Sequence, residues 1–400
     1  MLAILTTHPI QYQIPVWRAL AKDGSIPFEV WSMTDHGTKA SYDRQFNKTF
    51  AWDLDTLSGY DHRFIQVNEA PNVSTFHKLR LAEPLGDLFK KRSVTALWVQ
   101  GWQVAAYWQA VWQANKAGIP VWLRGESNDL APPPPFLKRL GKRFLLRNFF
   151  ERIQHFLYIG KSNRRLYESY GVRAEQLHPA PYCVDNERFA RQAEPLRSQR
   201  MSIRRDWNIP DDAFCILFAG KFISIKRPFD LIAAACNLLL KGRPLHLLFV
   251  GSGELGRGLR NACHVVFDAE PSCGNGGSLN AAPRASFAGF LNQTEMSKAY
   301  VAADCLVLPS ERETWGLVVN EAMASGLPCI TSDACGCSED LTSPLNNKFH
   351  FPLGDTRAIA EAILNLMMNP HPVSLFQKQV SKFSVAATIE TVKYLYCLEG

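Results

Sequence analysis

Two pairs of charged side chains in this 400-residue chain have the types and spacing to do chemistry on a phosphorylated ligand. Glu313 and Glu321 stand eight positions apart in Glu313-Thr-Trp-Gly-Leu-Val-Val-Asn-Glu321, and Lys221 and Lys226 stand five apart in Gly220-Lys221-Phe-Ile-Ser-Ile-Lys226-Arg-Pro228. Two lysines at the end of a strand can converge on a diphosphate and neutralise the charge that grows on a leaving nucleotide. The plainer alternative is two solvated lysines in a loop. Two carboxylates in a cleft usually mean a general acid and a general base. Taken singly, Glu313 reads as a negative charge placed at a helix N-terminus, and Glu321 as part of a solvated helical face.

The elements around these residues decide between those meanings. A strand ends at Pro309, a polar loop follows, and a helix is predicted from near Gly316 to about Ser325, with Gly326 placed to cap it. Glu313 then stands in the loop and Glu321 one to two helical turns on, a separation across a helix start that suits holding a ligand. The amides of Trp315, Gly316 and Leu317 open that helix and form an anion site for a phosphate or a sugar hydroxyl. Short apolar runs alternate with helical patterns along the whole chain: Leu2 to Leu5, Leu97 to Val99, Val121 to Leu123 and Phe156 to Ile159 come first. Cys215 to Phe218, Leu245 to Val250, Ser286 to Ala288, Cys305 to Leu308 and Pro328 to Thr331 form a second series. The alternation predicts an α/β chain of right-handed βαβ units in two doubly wound domains that meet near residues 185 to 205. Ligands in such sheets sit at the carboxyl ends of the strands, so Gly220-Lys221, Gly251-Ser-Gly253 and Pro309-Ser310-Glu311 are expected to face one cleft. Pro132 to Pro135 reads as a stiff polyproline spacer, and Pro271 to Pro283, with Gly274-Asn-Gly-Gly277, as an inserted surface loop.

The run around the two glutamates resembles the Glu-x7-Glu motif of the retaining nucleotide-sugar glycosyltransferases of family 4. The match extends to Pro309-Ser310 before it and Glu321-Ala-Met-Ala-Ser-Gly-Leu-Pro328 after it. The resemblance implies a GT-B fold: two Rossmann-like domains facing across a cleft, with residues 1–190 on the acceptor side, 200–379 binding the donor, and the closing segment 380–400 packed back on the first domain. It implies that Glu313 contacts donor-sugar hydroxyls, that Glu321 holds the ribose, and that Lys221 and Lys226 contact the diphosphate. Lys221 stands where the family more often carries arginine. Glu313, Lys226 and Lys221 are therefore the expected catalytic group. Gly220, Trp315, Gly316 and Leu317 join Glu321 in donor binding, and Leu248-Phe-Val-Gly251-Ser-Gly253 and Ser286-Phe-Ala-Gly289-Phe290 resemble the turns beside the nucleotide base. Gly336-Cys337-Ser338-Glu339 approximates the family's Gly-Gly-x-x-Glu, and Pro179 to Phe189 resembles its hinge, with Cys183 at the usual glycine. The likeness covers about residues 155 to 395 in motifs and the first 150 in architecture alone. There His8, in His8-Pro-Ile-Gln-Tyr12, and Arg124 and Glu126, at the end of Val121-Trp-Leu-Arg124, are the acceptor-side candidates. Many members place a histidine in that second region, and this chain has none there.

Composition narrows the partners. With 46% apolar residues the chain can bury two cores. A formal charge of +7 from 44 basic and 37 acidic residues is too dilute for a nucleic-acid surface. The ten cysteines are scattered, several of them inside apolar runs, and are expected to be reduced core residues, with no metal among them. The Met1-Leu-Ala-Ile-Leu start reads as a first buried strand and the 96–123 stretch as too polar to span a bilayer, which predicts a cytoplasmic protein. From Phe136 to Phe156 basic residues interleave with phenylalanines and leucines. This helix could lie on an anionic bilayer at the inner face of the cell membrane and meet a lipid-linked acceptor, or be an ordinary surface helix. The expected activity is metal-independent transfer, with retention, of a sugar from a nucleotide-diphosphate sugar to a hydroxyl of a glycan or lipid-linked acceptor, with no permanently bound cofactor. A catalytically silent nucleotide-sugar-binding subunit and a GT-B phosphorylase or epimerase are the alternatives.

Overall fold

The computed structural model describes residues 1–69, 71–73, 75–131, 135–239, 244–268 and 284–399. The expected polyproline spacer, apart from Pro135, and the expected loop 271–283 lie outside the described residues. The strands in chain order are β1 (Leu2–Thr6), β2 (Phe28–Ser32), β3 (Ser41–Asp43), β4 (Lys48–Phe50), β5 (His62–Phe64), β6 (Ala96–Val99), β7 (Val121–Leu123), β8 (His155–Tyr158) and β9 (Leu177–Pro179). They continue with β10 (Phe214–Ala219), β11 (Leu245–Val250), β12 (Ala285–Gly289), β13 (Cys305–Leu308), β14 (Cys329–Ser332) and β15 (His350–Phe351). The chain forms two units: Met1–Ser41 with Leu54–Val184 and Phe383–Gly400, and Tyr42–Asp53 with Asp185–Lys382.

In the first unit seven strands form a parallel sheet in the order β5-β2-β1-β6-β7-β8-β9. Its central strands are apolar without interruption because both faces are covered, and successive residues alternate between two cores. Ala3, Leu5, Leu97, Val99, Val121 and Leu123 point to a core shared with helices Ala105–Lys116 and Phe136–Phe150. Leu2, Ile4, Ala96, Trp98 and Trp122 point to the other, filled by Ile14, Trp17 and Leu20 of helix Ile14–Asp23 and by Val392 and Leu395 of the closing helix Val385–Glu399. Lys393 Nζ donates to Asp23 at 2.8 Å and ties those two helices together.

The second unit holds six parallel strands in the order β12-β11-β10-β13-β14-β15. Strand order reverses between β10 and β13, which makes the carboxyl ends of that pair the switch point of the sheet. Cys215, Cys305 and Cys329 fill this core as free thiols, and burial raises their pKa values well above the ordinary range, Cys215 to about 12. The polar stretch after Arg191 is helical, within Asn186–Arg197 and Arg200–Asp206, and Asp185 caps its start by accepting the Arg188 amide at 2.9 Å.

One segment departs from the expected division. Residues 42–53 fall inside the span 1–190 assigned to the first domain, yet they cluster with the second unit, as do residues 185–190. Strands β3 and β4 form a separate two-stranded ribbon, turned at Asn47, whose φ of +51° an asparagine tolerates. The ribbon's distal arm is fixed to the second unit, where Asn292 Nδ2 donates to the Ala51 carbonyl at 2.8 Å and the Thr294 amide to Asp53 at 3.1 Å. No apolar pattern announces this placement.

Candidate functional site

The switch point brings the expected charges together. Beyond β10 the chain turns at Gly220, passes through the short helical turn Ser224–Lys226 and enters helix Pro228–Leu239. Arg227 takes the left-handed conformation at that junction (φ +48°) and is held by Asp230 at 2.7 and 3.2 Å. Beyond β13 the Glu311 amide donates to the Ile225 carbonyl at 2.8 Å, which lashes the two loops together. Across that lashing Lys226 Nζ donates to Glu313 Oε2, with the two side chains only 20% and 17% exposed. The pair is half-desolvated, so its charges act more strongly than a surface pair would.

The Glu313 loop is fixed from behind by backbone. The Gly336 amide donates to the Glu313 carbonyl and the Cys337 amide to the Trp315 carbonyl, each at 3.0 Å. This is what the Gly336-Cys337 stretch does locally. Glu339, next along, is exposed. Gly316 opens helix Leu317–Ala324 at φ +104°. A side chain there would meet Leu308 Cδ2 at 3.0 Å and Glu313 Cγ at 3.3 Å, so glycine is required on two counts. Trp315 is buried with its indole N–H on Asn320 Oδ1 at 2.8 Å, so its ring is packed away from the helix start. Cys335 lies beneath Glu313, and burial together with that carboxylate pushes its thiol up to about 12.

Glu321 does not belong to a solvated face. It is 3% exposed, accepting from Tyr300 Oη at 2.5 Å and Gln293 Nε2 at 3.2 Å. Arg188 donates in turn to Gln293 Oε1 at 2.9 Å. Tyr300 and Gln293 went unnoticed as site residues in the sequence, and Arg188 stood there only as part of the hinge stretch Pro179 to Phe189, because the three come from separate elements and no local motif links them. Gln293 alone carried a signal, as a polar residue in the turn after β12.

Lys221 has other partners than Lys226. Its ammonium donates to Asp43 Oδ2 at 3.1 Å and Gln45 Oε1 at 2.7 Å and lies over the Phe46 ring at 4.9 Å. Gly251 and Gly253 allow two loops to touch: a side chain at Gly251 would lie 1.9 Å from the Gly220 carbonyl, and one at Gly253 2.7 Å from that of Phe222. Phe290 packs against Phe46 and Phe50, with ring centroids 5.1 and 4.5 Å apart.

In the first unit the three acceptor-side candidates are placed on neighbouring loops after β1 and β7. Arg124 is 2% exposed, donating to Gln13 Oε1 at 2.6 Å and lying 5.1 Å from the Tyr182 ring centre, the position of a brace. Glu126 accepts from Tyr182 Oη at 2.5 Å, and burial and that carboxylate keep the phenol protonated. His8 Nδ1 lies 2.9 Å from Thr7 Oγ1, and burial and His36 lower its pKa to about 4, so the imidazole is neutral near pH 7. Among the described residues no three His, Cys, Asp or Glu side chains are grouped to hold a metal ion. Nor is any helix among them long and apolar enough to cross a membrane.

Comparison with known proteins sets this geometry beside glycosyltransferases. Residues 213–369 match Glycosyl transferases group 1. A sulfoquinovosyl transferase of Arabidopsis thaliana is 30% identical over 223 residues, 55% of this chain and 38% of that protein. A D-inositol 3-phosphate glycosyltransferase of Nocardia farcinica is 26% identical over 208 residues, 52% of this chain and 42% of that protein. The chain thus spans less than half the length of these curated relatives. Among solved structures, Anabaena HepE in complex with UDP and glucose superposes with a TM-score of 0.65 at 14% identity, covering 99% of each chain. A glycosyltransferase from Rickettsia africae reaches 0.71 at 13% identity, covering 100% of this chain and 98% of that one. Residues 213–369, all within the second unit, thus match the glycosyl transferases group 1, and the chain as a whole has a GT-B fold.

Proposed function

We propose that this protein is a retaining glycosyltransferase of family 4 that moves a sugar from a nucleotide-diphosphate sugar to a hydroxyl of a glycan or lipid-linked acceptor. The observation that carries the reading is the Lys226–Glu313 pair at the switch point of the sheet, inside the matched stretch. Lys226 and Lys221 supply positive charge where a diphosphate develops negative charge on departure, assisted by the amides that open helix Leu317–Ala324. Glu313 accepts from donor-sugar hydroxyls and orients the ring, and Glu321, held by Tyr300 and Gln293, takes the ribose. The bond from the anomeric carbon to the phosphate oxygen breaks as the acceptor oxygen bonds on the same face, and the acceptor's proton passes to the leaving phosphate oxygen. This route calls for no protein base and no metal.

Helix Phe136–Phe150 supports a lipid-linked acceptor. It buries Leu146, Phe149 and Phe150 but leaves Leu137 80% and Phe144 73% exposed beside Lys138, Arg139, Lys142 and Arg143, the make-up of a helix that lies in a bilayer interface. The test begins with thermal stabilisation by UDP-, GDP-, ADP- and dTDP-sugars, since a ligand of the folded state raises stability. The stabilising donor is then supplied with extracted glycans and lipids, and the configuration of the new bond is read by NMR. Transfer with retention is expected. Donor binding without transfer to any acceptor would mark a silent binding subunit, and inversion at the anomeric carbon would remove the mechanism.

A further inference from the structure

The ribbon of residues 42–53 rests on the positions that the proposed function gives to the donor. Asp43 and Gln45 sit on the Lys221 ammonium at 3.1 and 2.7 Å. The Phe46 carbonyl accepts from Ser252 Oγ, within Gly251-Ser-Gly253, at 2.7 Å. The rings of Phe46 and Phe50 cover Phe290, which Lys48 also overlies at 4.9 Å. At Lys221 and at Phe290 the ribbon offers a chemical likeness of the ligand: a carboxylate for a phosphate and an aromatic ring for a base. Asp43 is built for its place. Its Oδ1 accepts the amides of Gln45 and Phe46 at 2.8 and 2.9 Å and closes the turn, which leaves Oδ2 aimed at Lys221.

A phosphate arriving at Lys221 meets this carboxylate at contact distance, and two anions cannot share one ammonium without repulsion that a partly desolvated site makes worse. Resting on the donor-binding reading above, we infer that Asp43 is an internal competitor of the donor diphosphate. The ribbon holds Lys221 until a nucleotide diphosphate displaces Asp43 and Gln45, and the strength of that hold sets the donor affinity. Sequence did not reveal this because the competing segment lies far from Lys221 along the chain, in a stretch without a motif.

The test uses the full chain. Asp43→Asn keeps an acceptor oxygen for the turn and removes the charge. UDP, GDP, ADP and dTDP are titrated calorimetrically into the wild type and the variant, with thermal melting to confirm that the variant folds. The nucleotide that binds is expected to bind Asp43→Asn about 3- to 10-fold more tightly, the scale of one ion pair released. If that variant does not fold, Gln45→Ala, which leaves the Asp43 cap intact, is expected to tighten binding about 2-fold or more on the same grounds. Trypsin provides a second readout, because displacement frees the turn and cleavage after Arg44 should quicken when the nucleotide is saturating. Equal or weaker binding by a folded variant overturns the competition and leaves the donor reading standing. No binding of any of the four nucleotides by either protein overturns both.

Discussion

Lys226 and Glu313 hold each other in place, and that mutual hold sets what their substitutions should do. Removing either leaves the other's half-buried charge without this partner, and removes one of the charges proposed to face the donor. Glu313→Ala and Lys226→Ala are each expected to lower the rate of transfer at least ~100-fold, with the loss mainly in kcat, the scale of one charged contact to the transition state. The double variant should be scarcely slower than either single, because the two side chains act as one unit. Steady-state kinetics on the three variants checks this, and near-wild-type turnover in either single would remove the pair from the reaction. The types of these residues were legible from their spacing alone, whereas their partnership was not, since it depends on the Glu311 amide joining two loops from distant parts of the chain. Glu321 teaches a complementary lesson. A glutamate on a helix ordinarily faces water, and Tyr300 and Gln293, contributed by other elements, help to make its burial tolerable.

Among the elements, those buried on both faces were legible almost to the residue: β7, β11 and β13 run as expected, because a central parallel strand is a continuous apolar run. The strands that escaped notice are the edge strands β5, β9 and β15 and the ribbon strands β3 and β4, which are short and carry polar residues, and β2, where Glu29 interrupts the pattern. That carboxylate is buried because Arg63 holds it at 3.1 Å, Arg92 at 2.9 Å and the Trp31 indole at 2.7 Å. Helix Phe136–Phe150 was legible as amphipathic, but not how its apolar residues divide between core and surface. Its first three turns carry the exposed Leu137, Leu140 and Phe144 and its last turn the buried Phe149 and Phe150, so the two ends can be changed separately. Leu137→Ser with Phe144→Ser is expected to leave the melting temperature within a few degrees of wild type, as surface substitutions do. The same double variant should reduce co-sedimentation with phosphatidylglycerol vesicles several-fold, an effect that added salt deepens. Unchanged sedimentation would make this an ordinary surface helix.

For the whole molecule the division into two doubly wound units was legible from the alternation of strands and helices, while the grouping of residues 42–53 with the second unit was not, because a short ribbon held by a few polar contacts and two phenylalanines lacks the periodic apolar pattern of a sheet strand. The charges inside the first unit fix how the protein as a whole should respond to acid. Burial and His36 lower the pKa of His8 to about 4, and burial and His155 do the same for His178. Both imidazoles are therefore neutral in the fold at pH values where the unfolded chain, with an ordinary value near 6.5, already binds protons. The stability they allow is complete above pH 6.5 and is lost as the pH falls toward 4. For the mostly buried His8 the loss is on the order of 2 to 3 kcal/mol. Asp23, bonded to Lys393 and Ser25, and Asp55, bonded to Ser58 and the Leu57 amide, have values near 2, so their contribution is present above about 3.8 and fades only below it. Two separate steps follow, a first between pH 6.5 and 4 from the histidines and a second between 3.8 and 2 from the carboxylates. Melting temperatures measured at closely spaced pH should fall through the first step while Asp23 and Asp55 are still ionised. His178→Gln, which cannot take up a proton, should flatten part of it. A melting temperature constant from pH 7 to 4 would mean that neither histidine is held neutral by the fold.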